Sequence, residues 1–581
     1  MSNKLQSMIT PNAKFGAADE MFINGRDAWA DKNSFFIDKN GTISFDTYYN
    51  GLSTVLWKEL CGLDEISFRL TGEGKIRVRL MVVVEEYVRY ELNDEIFTLS
   101  SDGNNSSKIS LKNLNFRGII YPVITALSDT VTITSGDWVT ETNPKRDVKL
   151  GISITHFDRK NYVLPSIERI KKNLLDLPEY KEKILFTVVD NSQNITKDEA
   201  LGCDILPNEN TGGSGGFMRG LLHYMDKGDC THVLFMDDDA SCEIESIKRT
   251  YAILQYAIKD NAAVSGALFY ENRPNLLIEK GARFERFCIP FFHNWDMADI
   301  NNVIKCETLV NNPNYGGWWF FAFPIDKVET FTFPFFVRGD DVFFGLHNKF
   351  SIITTNGVAC YGEDFAKKVS PMTCYFDTRN NVINSLITKA SALPVIKTYI
   401  RMYMGKLFAH QYGSVNCIRL ALKHIFSDNE FWLENYDMKS IRPIINEISS
   451  SEKMLPIDLS TLDLNFVGDH EKKSRRLLRI MTLNGFLLPK KDAIVYQEKS
   501  SVASLRSIFR FSKVVYFNRS NSTGYIVKAD NRLFFNGLID LIKDCYTIYS
   551  NFKKKHVEYS NNINKLASKD FWEKAVNKEV Q

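Results

Sequence analysis

Alternating apolar and polar residues characterise roughly the first 145 positions of the chain. The alternation is clearest in three segments that are broken by Gly, Asn and Asp: "GTISFDTYYNGL" (41–52), "ISFRLTGEGKIRVRLMVVVEEYVRYEL" (66–92) and "DTVTITSGDWV" (129–139). A period of two places successive side chains on opposite faces of a strand, and short strands separated by turns are typical of antiparallel sandwiches. The pattern predicts an N-terminal antiparallel β-sandwich, jelly-roll-like, at residues 1–147.

The pattern changes after the polar segment "ETNPKRD". Strand-like and helix-like segments then alternate: "VKLGISITHF" (148–157), "VLPSIERIKKNLLDL" (163–177), "KILFTVVDNSQ" (183–193), a helix after "GGSGGFMRG" (212–220) and "THVLFMDDD" (231–239). Such alternation is typical of an α/β domain with a mostly parallel sheet, which binds ligands at the carboxyl ends of its strands. It predicts a multidomain α/β protein with a central domain at residues 148–390.

A helical period follows from about residue 378, as in "VIKTYIRMYMGKLFAH", and predicts a mainly helical C-terminal region at residues 391–581. Residues 501–581 carry 14 Lys or Arg and 7 Asp or Glu, with aromatic residues interleaved in "SLRSIFRFSKVVYF" (504–517). A basic amphipathic surface can rest on an anionic membrane. This region could therefore be membrane-associating, and a solvated helix face is the alternative.

Composition is that of a folded globular protein, with 44% hydrophobic and 24% charged residues and a net charge of +2, which gives no nucleic-acid signature. The segment "MSNKLQSMITPNAKF" lacks the apolar core of a signal peptide, and no run of about 18 apolar residues occurs. A cytoplasmic location is therefore expected. The ten cysteines form no C-x-x-C pair, which favours reduced thiols.

Acidic residues follow the predicted strands and should meet at one edge of the sheet. They include Asp158, Asp190 and, in "LFMDDDA", Asp237 to Asp239. Adjacent carboxylates repel each other unless a cation or hydrogen-bond donors neutralise them, although an acidic turn remains an alternative. Asp237 and Asp239 can face one side of an extended segment, and carboxylates bind Mg²⁺ or Mn²⁺ when a diphosphate supplies further oxygens. This spacing is typical of nucleotide-sugar sites.

Three further segments are candidates for a site. In "NENTGGSGGFMRG", the glycines around Gly213 allow close approach of the backbone, and the following helix would direct its N–H groups and Arg219 at an anion. A flexible turn is the alternative. In "RGDDVFFGL", Asp341 could act as a general base, or the acidic pair could cap a helix. In "NYGGWWFFAFP", Trp318 and Trp319 could stack on a sugar or belong to the core.

These motifs, together with "THFDR", "VVDN" and "YFDTRN", resemble those of the family 2 inverting glycosyltransferases of GT-A fold. The resemblance is greatest to the polymerising galactofuranosyltransferases of mycobacterial cell-wall galactan synthesis, and it is specific over roughly residues 150–385. It implies a GT-A catalytic domain, with a Rossmann-like mixed sheet, between an N-terminal β-sandwich and a helical C-terminal region.

The resemblance also implies roles for individual residues. Those that contact the nucleotide-sugar are Thr155, Arg159, Asp190, Asn210 and Asp238; the metal ligands are Asp237 and Asp239; those on the acceptor side are Trp318, Trp319 and Asp340; and the catalytic base is Asp341. The family's metal-binding histidine is missing, because Tyr361 and Gly362 stand in its place. A second histidine is replaced at Asp377 or Thr378. Water, Glu363 or Asp364 would then complete the metal shell.

The expected function is metal-assisted, inverting transfer of galactofuranose from UDP-galactofuranose to a lipid-linked glycan acceptor. The product would be an O-antigen, capsule or galactan made at the inner face of the bacterial plasma membrane. The implied cofactor is Mn²⁺ or Mg²⁺, and the implied partners are the UDP-sugar, the acceptor and an anionic membrane surface, with homo-oligomerisation left open. The alternatives are transfer of another activated sugar, such as rhamnose or galactopyranose, and non-catalytic carbohydrate binding.

Overall fold

The computed structural model describes residues 2–12, 14–101, 103, 105–468, 470–500 and 502–577. Its N-terminal part is an antiparallel sheet, as the alternating pattern predicted, and its predicted jelly-roll-like sandwich arrangement stays a prediction. The ten strands are β1 (Asn3–Ser7), β2 (Asn24–Asp31), β3 (Ser34–Ser44), β4 (Leu52–Ser53), β5 (Glu65–Glu73), β6 (Lys75–Val83), β7 (Arg89–Thr98), β8 (Asn105–Ser110), β9 (Ile119–Ala126) and β10 (Thr130–Thr140). Strands β3, β9 and β10 each pair with three others, which joins all ten into one sheet.

The central part alternates strands with helices. Its strands are β11 (Leu150–His156), β12 (Ile184–Asp190), β13 (Asp204–Pro207), β14 (His232–Asp237), β15 (Ser241–Cys242), β16 (Ala262–Ser265), β17 (Ala267–Tyr270), β18 (Arg273–Glu279), β19 (Ala282–Phe284), β20 (Cys288–Pro290), β21 (Phe321–Pro324), β22 (Ser351–Ile353) and β23 (Ala359–Gly362). Its helices are α1 (Lys160–Ile170), α2 (Gly212–Lys227), α3 (Ile244–Tyr256), α4 (Ile300–Thr308) and α5 (Asp340–His347).

Seven of these strands form the main sheet, in the order β13-β12-β11-β14-β21-β16-β22. Strands β11 to β14 are mutually parallel where they pair, and β21 runs antiparallel between β14 and β16. The register brings the predicted site residues to one edge, with Thr155 opposite Asp237 and His156 opposite Asp190. The predicted convergence of the strand-end acids is therefore confirmed.

The C-terminal part is mainly helical, as predicted, but it also contains a sheet. The helices are α6 (Pro371–Thr388), α7 (Ala392–Phe408), α8 (Tyr412–Ile425), α9 (Glu430–Glu434), α10 (Ile441–Ile448), α11 (Lys473–Met481), α12 (Asn531–Leu566) and α13 (Lys569–Val576). The strands of the five-stranded sheet are β24 (Leu455–Pro456), β25 (Leu464–Asn465), β26 (Lys491–Glu498), β27 (Phe511–Asn518) and β28 (Thr523–Lys528).

Strand β27 corrects one interpretation of the sequence. It occupies the end of the basic, aromatic segment 504–517, and all four aromatic residues of that segment, Phe509, Phe511, Tyr516 and Phe517, are buried. These four residues therefore cannot contribute to an outward amphipathic surface, and membrane association of residues 501–581 stays a prediction. Phe511 and Tyr516 pack in a small apolar core with the rest of the five-stranded sheet.

Two large apolar cores position the edge of the main sheet at which the predicted site residues meet. One is shared by the N-terminal sheet and one side of the central part, and the other joins the central part to the C-terminal helices. Buried Arg249, in α3 of the central part, links the central part to the N-terminal part. Its guanidinium donates to the carbonyl oxygens of Tyr49 at 2.6 Å and Ser7 at 2.7 Å. The predicted domain boundaries fall in the connections β10–β11 and α6–α7. The division into three domains stays a prediction.

Candidate active site

One cavity of about 720 Å³ collects six of the predicted site residues: Gly213, Asp237, Trp318, Trp319, Asp340 and Asp341. They come from α2, the end of β14, the segment before β21 and the start of α5. Glu279, Arg338, Lys368 and Asp377 also line this cavity, and the sequence analysis did not assign a role to the first three of them. The arrangement brings carboxylates from two distant segments to face one space beside two indole rings.

Asp237 is the acid at the end of β14 and lies in the cavity wall. Burial, and then the charges of Asp239 and Asp238, raise its pKa to about 7. A raised pKa means that negative charge at this position is poorly compensated by the protein alone. Asp237 is therefore a carboxylate whose ionised form a bound cation would stabilise.

Asp239 is compensated by the protein itself. Lys368 Nζ lies 2.8 Å from Asp239 Oδ2, and Arg159 donates to the same oxygen. Burial opposes ionisation of Asp239, but Lys368 and Arg159 outweigh it and lower the pKa of this carboxyl. Arg159 therefore reaches the triple-Asp segment, while its predicted contact with the nucleotide stays a prediction, and Lys368 was missed.

Asp238 contacts the end of β11 and lies near Arg159, whose Nη1 is 3.7 Å from Asp238 Oδ1. Its Oδ2 accepts the backbone N–H of Phe157 at 3.1 Å and lies 3.2 Å from His156 Nδ1. It is buried, and it does not line the cavity. Its position favours a role in joining the ends of β14 and β11 over the predicted direct contact with the donor, which stays a prediction.

Asp340 and Asp341 open helix α5. The Ser214 hydroxyl donates to Asp340 Oδ2 at 2.9 Å, yet burial raises the pKa of Asp340 to about 6. Burial, and then the adjacent Asp340, raise the pKa of Asp341 well above its ordinary value. Asp341 Oδ1 also accepts the N–H of Val342 at 2.7 Å within the first turn of α5, whose N-cap residue is Gly339, and both acids line the cavity.

Helix α6 holds the loop that leads to this acidic pair. Arg379 donates to the carbonyl oxygen of Phe335 at 2.5 Å, and Asn380 Nδ2 donates to those of Val337 at 2.9 Å and Arg338 at 2.7 Å. Both side chains are buried. Buried polar groups are hydrogen-bonded in folded proteins, so the "TRNN" run in an otherwise apolar helix was the signal that could have revealed this contact.

The two tryptophans differ in environment. Trp318 is buried and packs edge-to-face on Phe217, Phe235 and Phe344, with ring centroids 5.0, 5.2 and 5.7 Å away. Its Nε1 has no hydrogen-bond partner among the described residues. Trp319 is half-buried, and its Nε1 donates to the carbonyl oxygen of Gly266 at 3.4 Å. Trp318 thus belongs to the core and also reaches the cavity, and both rings line it.

The glycine-rich segment is helical and not a flexible turn, because α2 begins at Gly212. Its glycines allow the helix to lie against β11: a Cβ at Gly216 would stand 2.3 Å from Thr155 Cγ2. Gly213 faces the other way, where a Cβ would meet Asp340 Oδ2 at 3.7 Å. Arg219, about two turns along the helix, does not line the cavity. Its contact with an anion stays a prediction.

The remaining predicted nucleotide-binding residues lie along the same edge. Asp190 is buried and accepts the backbone N–H groups of Ser192, Asn194 and Ile195 at 2.8–3.0 Å, so it fixes the loop after β12. Asn210 Oδ1 accepts the N–H of Gly212 at 3.0 Å and positions the start of α2. Thr155 Oγ1 is buried without a partner within the described part of the chain. Their predicted contacts with a nucleotide are not tested by these geometries.

The residues at the positions of the two missing histidines make contacts with other side chains of the protein. The Tyr361 hydroxyl lies 2.7 Å from that of Tyr49 in the N-terminal part, and Asp377 pairs with Arg338 at 3.1 Å. Glu363 lies 3.9 Å from Lys368, and Asp364 lies 4.0 Å from Arg273. Among the described residues, no group of three His, Cys, Asp or Glu side chains is arranged to hold a metal ion. Asp237 and Asp239 are the pair that could contribute to one.

Comparisons with known proteins agree with the motifs. A family model described as "Galactofuranosyltransferase 2 N-terminal" matches residues 17–141. The relative named Galactofuranosyltransferase GlfT2 from Mycobacterium tuberculosis (strain ATCC 25618 / H37Rv) is 24% identical over 452 residues, 70% of each chain. The relative of the same name from Mycolicibacterium smegmatis is 22% identical over 463 residues, covering 73% of this chain and 71% of its own.

A crystal structure of mannosyl-3-phosphoglycerate synthase from Rubrobacter xylanophilus is 14% identical and covers 41% of this chain and 74% of its own. Its TM-score of 0.26 does not establish a shared fold. The two sequence relatives are stronger evidence, because each alignment covers 70% or more of this chain. The resemblance that the motifs predicted is confirmed: this chain is similar to the mycobacterial galactofuranosyltransferases.

Proposed function

We propose that the protein is an inverting glycosyltransferase of GT-A fold that transfers galactofuranose from UDP-galactofuranose to a hydroxyl of a lipid-linked glycan. The product would be a bacterial O-antigen, capsule or galactan, assembled at the inner face of the plasma membrane. The observation that carries the proposal is the shared cavity, in which the strand-end acid Asp237 and the α5 acid Asp341 face one space beside Trp318. The names of the two mycobacterial relatives support the choice of donor.

On the donor side, Asp237 and Asp239 would hold Mn²⁺ or Mg²⁺. Two carboxylates fit such an ion, because Mg²⁺ commonly keeps water ligands and takes the rest from substrate phosphates. When bound, the ion would neutralise charge on the departing diphosphate. Arg159 and Lys368, which pair with Asp239, place two further positive charges beside the same position. Charge stabilisation of this kind is worth most in a site that excludes water.

On the acceptor side, Asp341 would accept the proton of the attacking hydroxyl. A general base must reach the proton it removes and must be ionised, and the raised pKa of Asp341 makes it a stronger base than an exposed aspartate. Asp340 and the two indole rings, which line the cavity, would orient the acceptor. Attack from the face opposite the diphosphate would invert the anomeric centre.

The test of these roles is the Asp341→Asn variant. It should abolish sugar transfer and leave UDP affinity nearly unchanged, because the amide keeps the shape but cannot take the proton. In the wild type, the rate should rise with pH as Asp341 ionises. Calorimetric titration with UDP, next to product mass spectrometry, separates the two properties. Loss of UDP binding, or residual transfer near the wild-type rate, would remove Asp341 from the role of base.

A further inference from the structure

Helix α11 (Lys473–Met481) exposes its apolar residues. Leu477, Leu478, Ile480 and Met481 have exposures of 60%, 45%, 58% and 68%, and Leu487, just beyond the helix, is 57% exposed. At about 100° per residue, the four helical side chains lie within an arc of roughly 160°. A surface helix of a globular protein normally turns such a stripe to the core. Here the stripe faces outward.

The charged side of α11 faces the protein. Arg479 makes a paired contact with Glu471, with Nε and Nη2 each 2.9 Å from a carboxylate oxygen. The Arg475 guanidinium lies 5.8 Å from the centre of the Phe509 ring. A bidentate arginine–carboxylate pair fixes orientation as well as adding energy. The Arg479–Glu471 pair closes within the segment itself, since Glu471 lies just before the helix, and the contact of Arg475 with Phe509 turns this side of α11 toward the chain before β27.

The surroundings of the stripe are strongly basic. Residues 472–491 contain seven Lys or Arg and no Asp or Glu, and Lys472, Lys473 and Arg476 are exposed beside the apolar residues. Among the described residues, no helix is long and apolar enough to span a bilayer. Apolar side chains ringed by lysine and arginine are the pattern of a helix that lies in the headgroup region of an anionic membrane.

We propose that α11 docks the protein on an anionic lipid surface. Leu477, Leu478, Ile480 and Met481 enter the headgroup boundary, and the exposed cations contact lipid phosphates. A second copy of the chain is a poorer occupant, because two such surfaces facing each other would bring the exposed cations Lys472, Lys473 and Arg476 of each copy together. This surface lies outside the segment 501–581 expected from net charge, and the aromatic residues of the stretch 504–517 in that segment are buried in β27 or beside it.

The test is flotation of the full chain with vesicles of phosphatidylcholine, alone or mixed with phosphatidylglycerol. Binding should need the anionic lipid and weaken in high salt. Ile480→Asp should lower the bound fraction about tenfold or more. Ile96→Asp is its matched control, since Ile96 in β7 is 59% exposed against 58% for Ile480. Lys473→Glu with Arg476→Glu should weaken binding to a similar extent.

Equal thermal unfolding of the variants shows that each one folds. Unchanged vesicle binding by Ile480→Asp, or equal binding to both lipid mixtures, would overturn the proposal. A wild-type dimer in light scattering that Ile480→Asp dissociates, with no vesicle binding, would instead assign the surface to a second copy. The assay contains no sugar donor, so its outcome is independent of the proposed transfer activity.

Discussion

Lys368 is a cation of the proposed donor site that the motifs did not reveal. Its ammonium lies 2.8 Å from Asp239 Oδ2, and it belongs to the segment that follows Gly362 in sequence. Lys368→Met should lower UDP affinity about tenfold, or about 1.4 kcal/mol, because the diphosphate would meet uncompensated negative charge. Lys367→Met is the matched control, since Lys367 points to Ser520 at 3.0 Å. Equal UDP affinity of both variants, measured by calorimetry, would contradict this role.

Glu279 should make the stability of the folded protein depend on pH. Burial raises its pKa to about 8 in the folded protein, against an ordinary value near 4.5. Between these values the folded state binds more protons than the unfolded state, so stability should fall as pH rises through this window and level off above it. The free energy of unfolding falls by about 1.4 kcal/mol per pH unit where the two states differ by one bound proton. Urea unfolding from pH 5 to pH 9 should show a shallower decline for Glu279→Gln than for the wild type.

Glu285→Gln serves as the control, because the Glu285 side chain is 60% exposed. It should follow the wild-type decline. A Glu279→Gln curve parallel to the wild type would show that Glu279 does not carry this dependence.

At the scale of elements, helix α2 depends on glycines for its approach to β11. Gly216→Ala would place a methyl group 2.3 Å from Thr155 Cγ2 and should cost about 1–3 kcal/mol through overpacking. Gly213→Ala should be neutral or stabilising, because its Cβ meets nothing closer than 3.7 Å and alanine favours helix. Denaturant unfolding of the two variants is the measurement. Equal stabilities would show that α2 can move away from β11 at little cost.

The elements that could be predicted from sequence are those with a strong local period or a topological rule. Parallel strands end at one edge, so Asp190 and Asp237 were expected to converge, and they do. The five-stranded C-terminal sheet was missed because two of its strands have only two residues each. The orientation of α11 could not be predicted either, since its sequence shows an amphipathic helix but not which side the protein covers.

At the scale of the whole molecule, the site is made of contacts that join segments far apart in sequence. Lys368 reaches Asp239 across 129 positions, and Arg379 reaches the carbonyl of Phe335 across 44. Such pairs leave no local signal in the sequence. The motifs therefore predicted the acidic residues, but not the cations that compensate their charge or the side chains that hold their loops in place. The two large cores explain why these segments stay together, because both border the central part that carries the cavity.

The most direct test of the central claim is turnover of UDP-galactofuranose by the purified full chain with a galactosyl-lipid acceptor. UDP release and product mass are read together with Mn²⁺, with Mg²⁺ and with a chelator. We expect metal-dependent UDP release that is matched by addition of hexose to the acceptor. Transfer only from dTDP-rhamnose or UDP-galactopyranose would contradict the donor assignment, and absence of both transfer and UDP binding would favour a carbohydrate-binding protein instead.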